Sequence, residues 1–192
     1  MKTQKLLVIV ATICLLVGAS SAAMARNDCP DGFLVGGTID SIIINEPLAT
    51  CTILGVYVTG DEDGRGIVVR NGGSITIKDS IVEGRLAVID NGGEVLIEDN
   101  EVSDNIVVRD NTGFTLVLRN VVRNGQIRVI DQNLEGQRVE VIENLIFGGN
   151  LSVNGNASAA VIENRTDGNI TCSDNVELIS RNNRGQRVTC GR

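Results

Sequence analysis

The feature that most limits what this chain can fold into is a short phrase that keeps returning between Gly66 and Cys172. Each return opens on a strand of the form x-I/L-x-V/C: Ile67/Val69, Leu86/Val88, Ile106/Val108, Ile127/Val129, Leu151/Val153 and Ile170/Cys172. With Ile42 included, the opening positions are 25, 19, 20, 21, 24 and 19 residues apart. A second anchor runs in step. Ser80, Asn100, Asn120, Asn144, Asn164 and Asn182 each follow a β-type run such as SITIKDS, EVLIEDN or VEVIEN, with Val82, Val102, Val122 and Ile146 two residues after their anchors. Self-similarity at this period marks a repeat architecture, in which a unit cannot bury its apolar face alone and is stabilised by stacking on its neighbours.

Each unit reads as three short alternating strands separated by Gly/Asn/Asp turns such as Asn71-Gly72-Gly73 and Asn91-Gly92-Gly93. Wound as one coil per unit, every strand lies parallel to its counterpart about 4.8 Å away, and alternate side chains point to a common axis. The predicted internal columns are Ile67–Leu86–Ile106–Ile127–Leu151–Ile170, Val69–Val88–Val108–Val129–Val153–Cys172 and Ile77–Ile97–Val117–Val141–Val161–Ile179. Coils of variable length do not fit the strict hexapeptide period of left-handed solenoids, and parallel crossovers favour the right hand. The expected fold is all-β: a right-handed parallel β-helix of about seven coils, 19–25 residues each. Its expected divisions are a signal peptide (1–25), an N-terminal cap with a first degenerate coil (26–60), β-helix coils (61–171) and a C-terminal cap (172–192).

The first 25 residues carry the three parts of a secretory signal: Lys2 and Lys5, the apolar run Leu6 to Ala19, and Ala23-Met24-Ala25 as a cleavage site. The expected location is extracellular, cell surface or periplasm, with no membrane insertion after cleavage. Removing the leader takes two of the 17 Lys+Arg and none of the 24 Asp+Glu, leaving 15 against 24 and a net charge of −9. Such a chain repels nucleic acid. Of its five cysteines, Cys14 falls in the leader, and the even remainder in an exported chain implies disulfides. Four cysteines allow three connectivities; their placement favours Cys29–Cys51 and Cys172–Cys190, one pair at each end of the array. The chain has no His and no Trp. That removes Ser-His-Asp and Cys-His catalysis and the commonest sugar-stacking ring.

The units, the leader and the ending Gly168-Asn169-Ile170-Thr171-Cys172 with Gly185-Gln186-Arg187-Val188-Thr189-Cys190 resemble a group of small exported bacterial right-handed parallel β-helix proteins. The resemblance spans about residues 37–190. It implies a fold and an exported location, and brings no activity with it.

Three groups of residues are candidate sites. Asp90, Asp110, Asp131 and Asp174 follow the first strand of their coils as an acidic column, with Arg70, Arg109 and Arg128 close by. Asp90, Asp110 and Asp131 are Ca²⁺ candidates, since carboxylates stacked near 5 Å repel unless a cation or Arg intervenes. The same three with Arg109 and Arg128 form the catalytic alternative, a paired-carboxylate site for a polysaccharide lyase or glycoside hydrolase flanked by the loops TGDEDGR and DQNLEGQR. The outward residues there, Val68, Ala87 and Val107, include no aromatic. The Asn anchors, if inward, satisfy one another and the turn backbone. That phase turns Leu118, Val121, Ile142, Leu145 and Ile162 outward as an apolar partner surface for self-association, the cell surface or a polysaccharide. Asn150, Asn156, Asn164 and Asn169 begin N-x-S/T sequons expected by chance in an Asn-rich repeat. The expected function is a non-catalytic surface structural, adhesive or binding scaffold without a cofactor.

Overall fold

The structure, a computed structural model, describes residues 29, 32–45, 50–132 and 137–191. The leader and the middle of the 131–138 loop lie outside the described residues. Within them the chain winds as a parallel β-solenoid of three sheets. The first face stacks eight strands, from Ile42–Ile44 through Arg65–Arg70, Arg85–Ile89, Ile106–Arg109, Ile127–Ile130, Leu151–Asn154 and Asn169–Cys172 to Arg187–Cys190. The second face also stacks eight, from Phe33–Val35 to Glu177–Arg181, and the third stacks seven two-residue strands from Thr38–Ile39 to Arg165–Thr166.

Like lies over like. Ile106 pairs with Leu86 on one side and Ile127 on the other, Val108 lies between Val88 and Val129, and Val117 between Ile97 and Val141. These side chains are wholly buried. Period-two alternation sends every second residue to the axis, and burial of each aliphatic there is worth about 1.5–3 kcal/mol.

The three corners are built differently. At the second corner, between the second and third faces, one residue turns the chain with positive φ: Asp79, Asp99, Arg119, Glu143, Glu163 and Asn182 at 51–57°. The next residue points inward. Asn100, Asn120, Asn144 and Asn164 form a ladder in which the backbone N–H of one rung donates to Oδ1 of the next, at 2.9–3.1 Å. Each Nδ2 also reaches a strand carbonyl, as in Asn144 to Val117 at 2.8 Å. Buried polar groups are satisfied in this way, and the ladder locks the corner. A second buried ladder, Asn91–Asn111 and Gln132–Asn156–Asn175, lines the first corner, between the first and second faces. At the third corner, Gly125, Gly149, Gly168 and Gly185 let backbones of neighbouring turns approach closely.

The last turn departs from the expected phase by one residue. Ile179 stands opposite Ala160, faces outward and is 49% exposed, and Ser180 instead continues the Val141–Val161 column. The last rung is correspondingly Asn183, whose Oδ1 accepts from the Asn164 backbone N–H, and Asn182 takes the positive-φ corner. Glu177–Arg181 and Arg187–Cys190 pair as a further full turn on Ser158–Ile162 and Asn169–Cys172, giving eight tiers against the expected seven.

Cys29 is bonded to Cys51 and Cys172 to Cys190, with Cα–Cα separations of 5.9 and 4.5 Å. Cys172 and Cys190 are direct ladder partners, so this bond staples the eighth turn to the seventh. In a solenoid a terminal turn can open without the rest. We expect Cys172→Ala/Cys190→Ala to lose amide-exchange protection over residues 177–190 while the main unfolding transition shifts by no more than about 1 kcal/mol, less than the usual 2–5 kcal/mol for a small exported domain.

Candidate functional site

The acidic column is first a backbone feature. Asp90, Asp110, Asp131 and Asp174 have φ of 57, 55, 58 and 56°, and each is followed by an inward rung: Asn91, Asn111, Gln132 and Asn175. Asp and Asn tolerate the left-handed region better than most residues, because a short polar side chain can bond locally. Asn71 and Gly155 occupy the same corner position in their own turns, so the column holds one turn-former per tier. Asp90, Asp131 and Asp174 are exposed and Asp110 half-buried.

Arg109 Nε meets Asp110 Oδ2 at 2.9 Å, and both side chains are over 40% exposed. Arg128 projects from the first face in the column Val107–Arg128–Ser152, in a different row from Arg109. Val68 and Ala87, also outward by register, are 4% and 1% exposed, so this part of the face is closed to solvent. Among the described residues no three His, Cys, Asp or Glu side chains gather as a metal-holding group.

The TGDEDGR loop is tied to itself. Asp61 Oδ1 accepts the backbone N–H groups of Asp63 and Arg65 at 3.0 and 2.9 Å, and Arg65 Nε reaches Asp61 Oδ2 at 2.8 Å. Burial raises the Asp61 pKa, but these Arg65 and Asp63 bonds outweigh it and hold the carboxyl below the usual range. The opposing 131–138 loop is only partly described.

The densest ionic network lies at the second corner. Arg119 holds Asp99 through two bonds of 2.7 and 2.8 Å and also meets Glu98, while Lys78 Nζ reaches Glu98 at 3.2 Å. Hydrogen bonds from Arg119 hold Asp99 below the ordinary carboxylate pKa, and those from Arg123 do the same for Glu101. Because both pKa values are depressed on folding, their stabilisation is present above the unfolded carboxylate pKa and is lost as pH falls through the folded values. Melting temperature should therefore drop below about pH 4, with a smaller drop in Arg119→Gln; a pH series of thermal melts on both proteins checks this.

Leu118, Ile142 and Ile162 form one outward column on the second face, and Val121 and Leu145 pair on the third. All five are partly exposed, in line with the phase that puts Asn inward. The two columns are separated by the second corner, so they make two adjoining strips.

One feature escaped the sequence reading. At the C-terminal end a cleft of about 510 Å³ is lined by Glu163, Asn164, Arg165, Asn182, Asn183 and Arg184. Its two arginines are lateral neighbours on consecutive turns. The signal was an Asn-Arg pair recurring in the last two units, Asn164-Arg165 and Asn183-Arg184, where earlier units carry Ser80-Ile81, Asn100-Glu101, Asn120-Val121 and Asn144-Leu145.

Fold and surface together define the class: a disulfide-stapled parallel β-solenoid with polar ladders at two of its corners. No family model, no curated protein and no solved structure matches the chain.

Proposed function

We propose that this protein is a non-catalytic, exported rod that serves as a surface structural, adhesive or binding scaffold. The observation that carries the reading is the placement of the acidic column: each Asp occupies a corner position that its turn requires, one per tier along an open edge. That placement accounts for Asp90, Asp110 and Asp131 without a reaction, and it leaves Arg128 in a separate row from Arg109. The two cystines support an oxidising compartment outside the cytoplasm. The partly exposed strips Leu118–Ile142–Ile162 and Val121–Leu145 supply apolar contact area.

The competing reading is a polysaccharide lyase or hydrolase using the same carboxylates. Incubation with acidic and neutral polysaccharides, with reducing ends and unsaturated products measured, separates the two. No product is the expected result. Release of oligosaccharides that disappears in Asp110→Asn or Asp131→Asn would establish the enzyme. Millimolar Ca²⁺ should leave the melting temperature unchanged.

A further inference from the structure

The geometry points to an anion-binding cleft at the C-terminal end of the solenoid, built from Arg165 and Arg184 and shaped for the oxyanion groups of an acidic polysaccharide. This rests on the scaffold reading above and names the kind of ligand that one end of the rod would hold.

Arg165 and Arg184 form a parallel bridge, so their side chains leave the same face on adjacent turns, about 5 Å apart. Like charges directly opposite one another across a ladder destabilise it unless something neutralises them. At five other arginines that neutralisation is built in. Arg65 meets Asp61 and Asp63, Arg109 meets Asp110, Arg119 meets Glu98 and Asp99, Arg123 meets Glu101, and Arg138 meets Glu140. Arg165 and Arg184 have no such pair among the described residues, in a chain with 24 acidic and 17 basic groups; Arg70, Arg85, Arg128, Arg181 and Arg187 are also without one, but only Arg165 and Arg184 are unpaired arginines stacked directly on each other.

The cleft adds two further elements. Asn183 is the last rung of its ladder, so its backbone N–H meets no following Oδ1, while its side chain is committed to Val161 and Ser180 at 2.7 and 3.0 Å. Glu163 is the carboxylate in the lining, and Asn182 Nδ2 donates to its Oε1 at 3.3 Å, which holds it to the corner. Two guanidiniums and an end-of-ladder N–H make a donor set for a carboxylate or sulfate oxygen. The cleft lies open at the rod's end, so a chain bearing such groups can lie across it. Both sources, uronate carboxylate and sugar sulfate, share this chemistry.

The test measures binding of oligogalacturonate, dextran sulfate and neutral dextran to the full mature protein by calorimetry at low salt. Saturable binding of one or both charged chains and none of the neutral one is expected. Which charged chain binds more tightly identifies carboxylate or sulfate. Arg165→Gln and Arg184→Gln should each weaken binding about tenfold or more, as loss of a hydrogen bond to a charged group does. Glu163→Gln should strengthen it by removing the opposing charge. It also gives a gain-of-affinity readout that a misfolded variant could not produce. Equal affinity in wild type and Arg165→Gln/Arg184→Gln, or no binding of either polyanion, overturns the cleft and leaves the scaffold reading standing. Cleavage of either chain overturns the scaffold reading and is a distinct signal from binding.

Discussion

Gly149→Ala should cost about 3 kcal/mol or more, or prevent folding of the C-terminal half, while Gly148→Ala beside it should cost only about 1 kcal/mol. The two glycines are needed for different reasons. Gly149 has no positive φ; a Cβ there would overlap the carbonyl oxygen of Gly125 on the preceding turn and lie 2.6 Å from its carbon. Relief would require two stacked backbones to separate, which breaks the ladder bonds on either side. Gly148 has φ of 81°, but a Cβ there meets its nearest atom, the Arg123 carbonyl oxygen, at 3.6 Å, an ordinary contact. Its cost is conformational only. Denaturant unfolding of the two variants separates crowding from backbone strain, and comparable losses would contradict the close packing of turns at the third corner.

Replacing one ladder asparagine should be nearly as damaging. Asn144 Oδ1 accepts from the backbone N–H and Nδ2 of Asn120 at 2.9 and 3.1 Å. Its Nδ2 is shared among the Val117 and Ile142 carbonyls and Asn164 Oδ1 at 2.8–3.0 Å. Asn144→Leu leaves at least two buried groups unpaired, each costing about 1–3 kcal/mol, so a loss of about 3–5 kcal/mol is expected. Asn144→Asp is an informative second variant. It keeps the acceptor, removes the donor and places a charge at a site that is 1% exposed. Its stability should therefore improve as pH falls toward its titration, opposite to the trend carried by Asp99. Equilibrium unfolding at pH 4 and pH 7 measures both effects.

The winding of this chain was legible because each turn repeats one apolar phrase, and Leu86, Ile106 and Ile127 could be stacked from spacing alone. The phase of the final turn was not. Glu177–Arg181 carries adjacent Leu178 and Ile179 and is followed by two asparagines, so alternation fits two registers one residue apart. Hydrogen bonding decides between them, since only Asn183 can extend the ladder while Asn182 supplies the left-handed corner. The second buried ladder was obscured for a related reason. Gln132 replaces Asn in one tier and Gly155 replaces Asp in another, which breaks the Asp-Asn signature that marks the corner. The closed surface over Val68 and Ala87 carries no sequence mark, because outward small apolar residues read as exposed. The Arg165–Arg184 bridge needed the three-dimensional stacking to bring residues from different units side by side.

The second corner always spends two residues between strands, as in Leu118 to Val121 or Ile142 to Leu145, whereas the other two corners range from two to seven. One edge of the rod thus acts as an invariant spine while the remaining edges absorb every insertion. Length changes within that two-to-seven-residue range fall on those two edges and leave the hinge line that keeps the stack in step unaltered.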